Sequence, residues 1–294
     1  MTAGPGLWQQ IFDFRDYGAL LALVHNTLVA GAVLGVIAGL VSTFVMMRDL
    51  PFAVHGISEL SFAGAAGFLL AGWSVVVGAL TGSLLAALVI GALGSRARDR
   101  NSIIGVLMPF GLGLGVLFLS LYHGRSANKF GLLTGQIAAI DTPRLTALIG
   151  TAVVVGLGLL VIWRPLAFAS TDPEVAAARG VPVRLLSPVF MLLLGLTVAM
   201  SIQIVGALLV LSIVCTPAAA AMRVTASPVL VPVLSVLFAV TATVGGTLLE
   251  LGSYSVPISP YVTTISFAIY AICRVIGAVR TRRGWVERTA ALPA

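Results

Sequence analysis

A histidine and a glutamate stand four residues apart in the apolar stretch Pro51-Phe-Ala-Val-His55-Gly-Ile-Ser-Glu59-Leu-Ser-Phe-Ala-Gly64. On a helix this spacing turns the chain by about 400°, so both side chains lie on one face, a turn apart. Imidazole nitrogen and carboxylate oxygen are both ligands for divalent metals. An ionisable residue inside a membrane span is costly to bury, and by default it marks the path of an ion or substrate. The plainer alternatives are a structural tie to a neighbouring helix and a place in a wet interface. The pair by itself leaves all three open.

Gln203 and Glu250 are further candidate pathway groups, since each is polar in apolar surroundings. For Gln203 the commoner role is a hydrogen bond across helices. For Glu250, late in its span, the alternative is a solvated acid near the interface. His25 and His123 fall near span ends and read as interfacial or structural. Other chemistry is missing. A P-loop requires Gly-Lys-Ser/Thr, and the one lysine, Lys129, follows Asn128. No nucleophile, base and orienting group can be assembled. Cys215 and Cys273 both lie in apolar helices, without the spacing of a thiolate metal pair.

Membrane helices must position these residues. The chain is 59% hydrophobic and 9% charged, where an ordinary soluble domain has about a quarter of its residues charged. Apolar runs of membrane-spanning length recur from Leu20 to Ile276. The short connections leave no room for a soluble domain, which predicts one transmembrane unit over residues 1–294. Asp13, Arg15 and Asp16 precede the first run, a pattern unlike a signal peptide. Trp8, Phe12, Phe14 and Tyr17 suit the headgroup region, where membrane lipid is the partner. The net charge of +7 does not read as nucleic-acid binding, because the arginines cluster at helix ends. Arg96, Arg98 and Arg100 form one group, Arg164, Arg179 and Arg184 a second, and Arg280, Arg282, Arg283 and Arg288 a third. By the positive-inside rule these loops and the C-terminus face the cytoplasm. The opposite loops carry only Arg125, Lys129 and Arg144.

The first span, about Leu20 to Met47, carries Gly31, Gly35 and Gly39, a spacing that lets another helix come close. The tract from Phe52 to Leu93 is either two spans or a broken helix followed by a full one. Further spans end near Tyr122 and at Trp163, two fill 186–222, and 229–250 and 261–279 close the chain. The total is eight if 52–93 crosses once, with the N-terminus inside, and nine if it crosses twice, with the N-terminus outside. Eight is preferred. The fold class is an all-α polytopic membrane protein.

One connection has its own structure. In Ser170-Thr-Asp172-Pro173-Glu174-Val-Ala-Ala-Ala-Arg179-Gly180-Val-Pro182, Asp172 can cap a helix that starts at Pro173. Glu174 and Arg179 complement the helix dipole, Gly180 ends the helix and Pro182 prevents its resumption. A surface turn joining two spans is one reading. A rigid element for docking into another protein is the other.

From about residue 24 to residue 275 the chain resembles the membrane permease subunit of the ATP-binding-cassette importers for zinc, manganese or iron. The resemblance rests on several segments in order. They are Asn26-Thr-Leu, Ser42-Thr-Phe-Val-Met-Met-Arg48, Leu132-Leu-Thr-Gly135-Gln-Ile, Asp172-Pro-Glu-Val-Ala-Ala-Ala-Arg-Gly-Val-Pro-Val and Val205-Gly-Ala-Leu-Leu-Val-Leu-Ser-Ile-Val-Cys-Thr-Pro217-Ala-Ala-Ala-Ala. It implies a type II importer fold, with 170–182 as the cytoplasmic coupling helix whose Asp172, Glu174, Arg179 and Gly180 serve the contact with the ATPase. It also implies intramembrane metal ligands at His55 and Glu59, where the family's usual order is carboxylate before histidine. The expected assembly is a homodimer in a prokaryotic cytoplasmic membrane, with an ATPase subunit under each half and a metal-binding protein or lipoprotein outside. The cargo would be zinc or manganese, with iron as a third choice. No permanently bound cofactor is implied, and ATP hydrolysis belongs to the partner. Two other classes stay in view: a proton-coupled secondary transporter using His55 and Glu59, and a non-transporting membrane scaffold.

Overall fold

The computed structural model describes residues 24–93, 97–124, 131–133, 140–252 and 257–290. The expectations placed on residues 1–19, on Arg96, Arg125 and Lys129 and on Thr134 to Ile137 lie outside the described residues. So do the side chains of Arg98, Arg282, Arg283 and Arg288. The described chain is helical. Its elements are α1 (His25–Met47), α2 (Pro51–Leu70), α3 (Val75–Leu93), α4 (Ala97–Leu121) and α5 (Thr142–Thr171). They continue with α6 (Pro173–Ala178), α7 (Val183–Val205), a 3-10 turn (Ala207–Leu209), α8 (Val210–Val214), α9 (Thr216–Val224), α10 (Leu230–Glu250) and α11 (Ile258–Ala290).

Among the described residues eight helices are long and apolar enough to cross a membrane: α1 to α5, α7, α10 and α11. The total agrees with the sequence expectation, but its partition differs in two places. The tract from Phe52 to Leu93 crosses twice, as α2 and α3. Gly72, at φ 73°, reverses the chain after α2, with Gly72 N–H bonded to Leu69 O and Trp73 N–H to Phe68 O at 2.8 Å. The Trp73 ring then packs edge-on against Phe68, as the hydrophobic contact of this helix stop requires. Residues 186–222, expected as two spans, form one long helix and a short broken return. Gly206 breaks the run at φ 84° and ψ 161°, and the chain comes back as the 3-10 turn, α8 and α9.

That return sets the sides. The Asn26 side-chain amide donates to Ile140 O, so α1 starts where α5 starts. Arg48 donates to Ser187, so α1 ends where α7 starts. α10 runs antiparallel to α1, with Val236 against Gly39 and Thr247 against Gly31. The far end of α11 meets the end of α9, where Arg280 donates to Val224 O. The start of α1 and the end of α11 therefore lie at opposite ends of the bundle, the arrangement expected for nine crossings. The short α8–α9 segment supplies the additional passage.

Small residues set the packing. A Cβ on Gly64 would run into Gly78 O, and one on Gly82 into Leu60 O, so α2 and α3 pack backbone to backbone. The Gly31, Gly35 and Gly39 stripe meets α10, as its spacing predicts. A Cβ on Gly39 would lie 2.6 Å from Val236 Cα and 2.8 Å from Val236 N. Backbone cannot step aside as a side-chain tip can. Gly39→Val should therefore destabilise the folded permease by about 1–3 kcal/mol. Gly105→Ala, with nothing within 4 Å of the added carbon, should leave it unchanged. Thermal unfolding of both variants in detergent checks this, and equal midpoints would contradict the close α1–α10 contact.

Candidate metal pathway and docking helix

α2 carries the candidate ligand pair and is packed by α3, α4, α7 and α8. His55 Nε2 stands 3.8 Å from Glu59 Oε1, with side-chain exposures of 32% and 7%. The predicted shared face is observed, and it is open at His55 and closed at Glu59. α4 closes it: a Cβ on Gly111 would lie 3.0 Å from the carbonyl carbon of Glu59. One residue earlier, the Ser58 hydroxyl donates to Ala207 O at 2.9 Å. The helix break at Gly206 is thus fastened to the turn of α2 that holds Glu59. Irregular backbone at membrane depth is tolerated where protein buries it or where it lines a cavity. Among the described residues no group of three or more His, Cys, Asp or Glu is assembled, so the chain offers two ligands of this kind together.

The other candidates fall elsewhere. Gln203 donates to Ala199 O of its own helix at 3.4 Å rather than across helices. It lines a cavity of about 570 Å³ with Trp73, Ser74, Leu132 and Arg144, between the α2–α3 turn and the start of α5. His55 and Glu59 are not in that lining. Glu250 ends α10, and the backbone N–H of Ile258 bonds its carboxylate. It lies at the end of the bundle opposite the α2 start, and the structure does not bring it to His55.

The segment 170–182 folds as its residues predict. Asp172 Oδ1 accepts from Val175 N–H at 3.0 Å, and Glu174 sits in the first turn. The helix is the six residues Pro173–Ala178, with Arg179 as its C-cap rather than in its last turn. Gly180 at φ 82° lets its own N–H reach Ala177 O and that of Val181 reach Ala176 O, both at 3.0 Å. Ala176 is buried against Ala169 and Leu186, which pins α6 across the junction of α5 and α7. Asp172, Glu174, Val175, Arg179 and Gly180 all stay exposed.

The match to the family described as ABC 3 transport covers residues 21–277. The chain belongs to the ABC 3 transport family. It is a multi-pass membrane protein and a transport component rather than an enzyme. Manganese import system permease protein ScaB of Streptococcus parasanguinis is 30% identical over 72% of this chain and 75% of its own length. Manganese transport system membrane protein MntC of Halalkalibacterium halodurans is 27% identical over 79% and 80%. Among solved structures, PsaBC from Streptococcus pneumoniae in complex with Fab aligns with a TM-score of 0.77 at 26% identity, covering 88% of this chain and 94% of that one.

In this ABC 3 family member, sequence reading missed three residues that hold the site. Ser58 and Ser259 satisfy the carbonyls on either side of Gly206, Ser259 donating to Val205 O at 2.6 Å. A serine in an apolar helix carries no mark of its partner, so no sequence signal pointed to either. Arg48 was visible only as the end of a motif. Its guanidinium bonds Ser187 Oγ at 3.1 Å and lies 5.8 Å from the Phe190 ring centre. Burial, and then the neighbouring Arg100, holds it below the usual arginine range.

The helix stop of α6 gives a direct test. Gly180→Val places a β-branched side chain at positive φ, and Asp172→Ala removes a cap of about 1 kcal/mol. Both should speed amide hydrogen exchange across 173–181 while exchange in α1, α2 and α7 stays as in the parent. Unchanged exchange in that segment would mean that neither residue defines the helix.

Proposed function

We propose that this chain is the permease of an importer that moves a divalent transition metal ion across a prokaryotic cytoplasmic membrane, with ATP hydrolysis supplied by a separate subunit. Manganese is the first choice of cargo and zinc the second. The observation that carries the reading is the His55–Glu59 pair, one turn apart on the enclosed helix α2 with its imidazole side open. The names of the similar proteins, manganese permeases and transport membrane proteins, support the choice of metal. A mixed nitrogen and oxygen set suits Mn²⁺ and Zn²⁺.

Two ligands make an incomplete site, and a second copy facing His55 across a two-fold axis would double them to an ordinary coordination number. The working unit in this reading is a homodimer with the path at its axis. α6 is the element on which the ATPase docks, so the end of the bundle that bears it, with the end of α11, is cytoplasmic. A metal-binding protein or lipoprotein delivers the ion at the other end. In the transport cycle Glu59 supplies the charge that attracts a hard cation and His55 the nitrogen that selects a transition metal. Movement of α5 and α7, which flank α6, would change access to them.

Uptake by the reconstituted complex tests this. Glu59→Gln keeps shape and removes charge, and it should lower ATP-dependent Mn²⁺ uptake by at least the roughly tenfold that loss of even an outer-shell partner costs a metal site. His55→Ala should do the same, with unfolding midpoints near that of the parent because His55 faces an open path. His55→Asp with Glu59→His restores one ligand of each type and should recover more uptake than either single change. Full uptake in both single variants would falsify the metal path, and a loss explained wholly by instability would leave the pair a structural tie.

A further inference from the structure

Where the α1–α2 turn meets the starts of α4 and α7, two arginines are packed close together, with no carboxylate in ion-pair contact among the described residues. Arg48 Nη2 donates to Ser187 Oγ at 3.1 Å, and Arg100 Nη2 donates to the Asp49 carbonyl at 3.5 Å. Nη1 of Arg48 and Nε of Arg100 are both buried and lack a hydrogen-bond partner among the described residues. Among those residues, neither guanidinium has a carboxylate within ion-pair distance. Asp49 is exposed, and at φ 53° it offers Arg100 its backbone oxygen, while its carboxylate acts on Arg100 from beyond ion-pair distance and leaves the pair with a net positive charge. A buried charged donor with no acceptor is expensive, and a like charge beside it adds to the cost. An anion beside the pair would offset that cost.

The surroundings say which anion. α2 begins here with Pro51 and no side-chain cap, so its N-terminal dipole adds positive potential. Met47 and Phe52, on either side of the turn, are 37% and 68% exposed, so apolar surface borders the basic pair. α4, which starts just before Arg100, exposes Val106 and Phe110 further along its length. A phosphate accepts several guanidinium hydrogens at once, and a lipid carries one next to acyl chains. We propose that Arg48 and Arg100 hold the phosphate of an anionic membrane lipid at the α1–α2 turn. The lipid phosphate accepts from the guanidinium edges that face the headgroup layer, offsets the charge of the pair, and ties the turn before α2 to the starts of α4 and α7.

The test uses the purified full-length permease, stripped of lipid in neutral detergent and titrated with phosphatidylglycerol, phosphatidylcholine or inorganic phosphate. Bound lipid is counted by native mass spectrometry, and the unfolding midpoint is recorded in parallel. The parent should retain phosphatidylglycerol, gain thermal stability from it and gain none from phosphatidylcholine. Arg48→Gln and Arg100→Gln should each bind phosphatidylglycerol about fivefold more weakly, the size of one surface arginine's attraction to anionic lipid. Arg280→Gln, at an exposed arginine of the same end of the bundle bonded to Val224 O, should bind like the parent. Arg48→Lys keeps the charge and should bind better than Arg48→Gln, which guards against misreading a folding defect. Equal protection by inorganic phosphate would show a soluble anion and overturn the lipid assignment. Equal phosphatidylglycerol binding in all variants would overturn the site. Normal lipid binding by the glutamine variants, together with lost association with an ATPase subunit, would overturn it too, because the pair would then be a protein contact.

Discussion

A chain that breaks its helix inside a membrane must find partners for the exposed backbone, because the lipid offers none. Gly206 makes such a break, and two serines answer it: Ser259 bonds the carbonyl before it and Ser58 the carbonyl after it. A third, Ser42 on α1, accepts from Ala218 N–H and so caps α9 from outside. These bonds fix where the returning segment runs. Because Ser58 precedes Glu59, the turn of α2 that anchors the break also carries the carboxylate of the candidate ligand pair. Strength here comes from buried, geometrically good hydrogen bonds rather than from apolar burial, which gains little between helices already in hydrocarbon.

The remaining order follows from close packing around α2. Glycines at 64, 78 and 82 seat α3 on it, and Gly111 seats α4 behind Glu59. Glu59 is therefore backed closely by the α4 backbone while His55 keeps an open side. At the start of α2 the contacts change character. Phe44 meets Trp163 of α5 edge-on at 4.8 Å between ring centres and Phe190 of α7 at 5.9 Å. Arg48 follows on the same two-helix platform. α5 and α7 are the helices that flank α6, so the proposed docking helix is joined through them to the end of α1, just before α2. In the proposed cycle, motion imposed at α6 reaches α2 through these rings and this arginine.

Much of this was legible in the sequence where a residue type has one physical use. A cap at Asp172, a proline at 173 and a glycine at 180 admit a short stopped helix and little else, and the Gly31, Gly35 and Gly39 stripe admits a close neighbour. The four-residue spacing of His55 and Glu59 fixed their shared face before any fold was known. Hydropathy could not divide Phe52–Leu93, because a turn of four residues around Gly72 interrupts the apolar signal too briefly. Residues 186–222 failed for the opposite reason. The segment after Gly206 is as apolar as a span but is broken into short helices, and its path depends on Ser58 and Ser259, which lie far away in sequence. The carboxylate at 250 and the amide at 203 looked alike as isolated polar groups. Tertiary contacts separated them, one against the α11 start and one beside a cavity.

Everything proposed for the pathway turns on whether the imidazole of His55 is a ligand of the transported ion. Pulsed electron paramagnetic resonance of Mn²⁺ bound to the permease complex, prepared with ¹⁵N-labelled histidine, reads that bond directly. A directly bonded imidazole nitrogen coupling is expected in the parent, and its disappearance in His55→Gln. A spectrum with oxygen ligands alone, or the same nitrogen coupling in both proteins, would contradict the metal path.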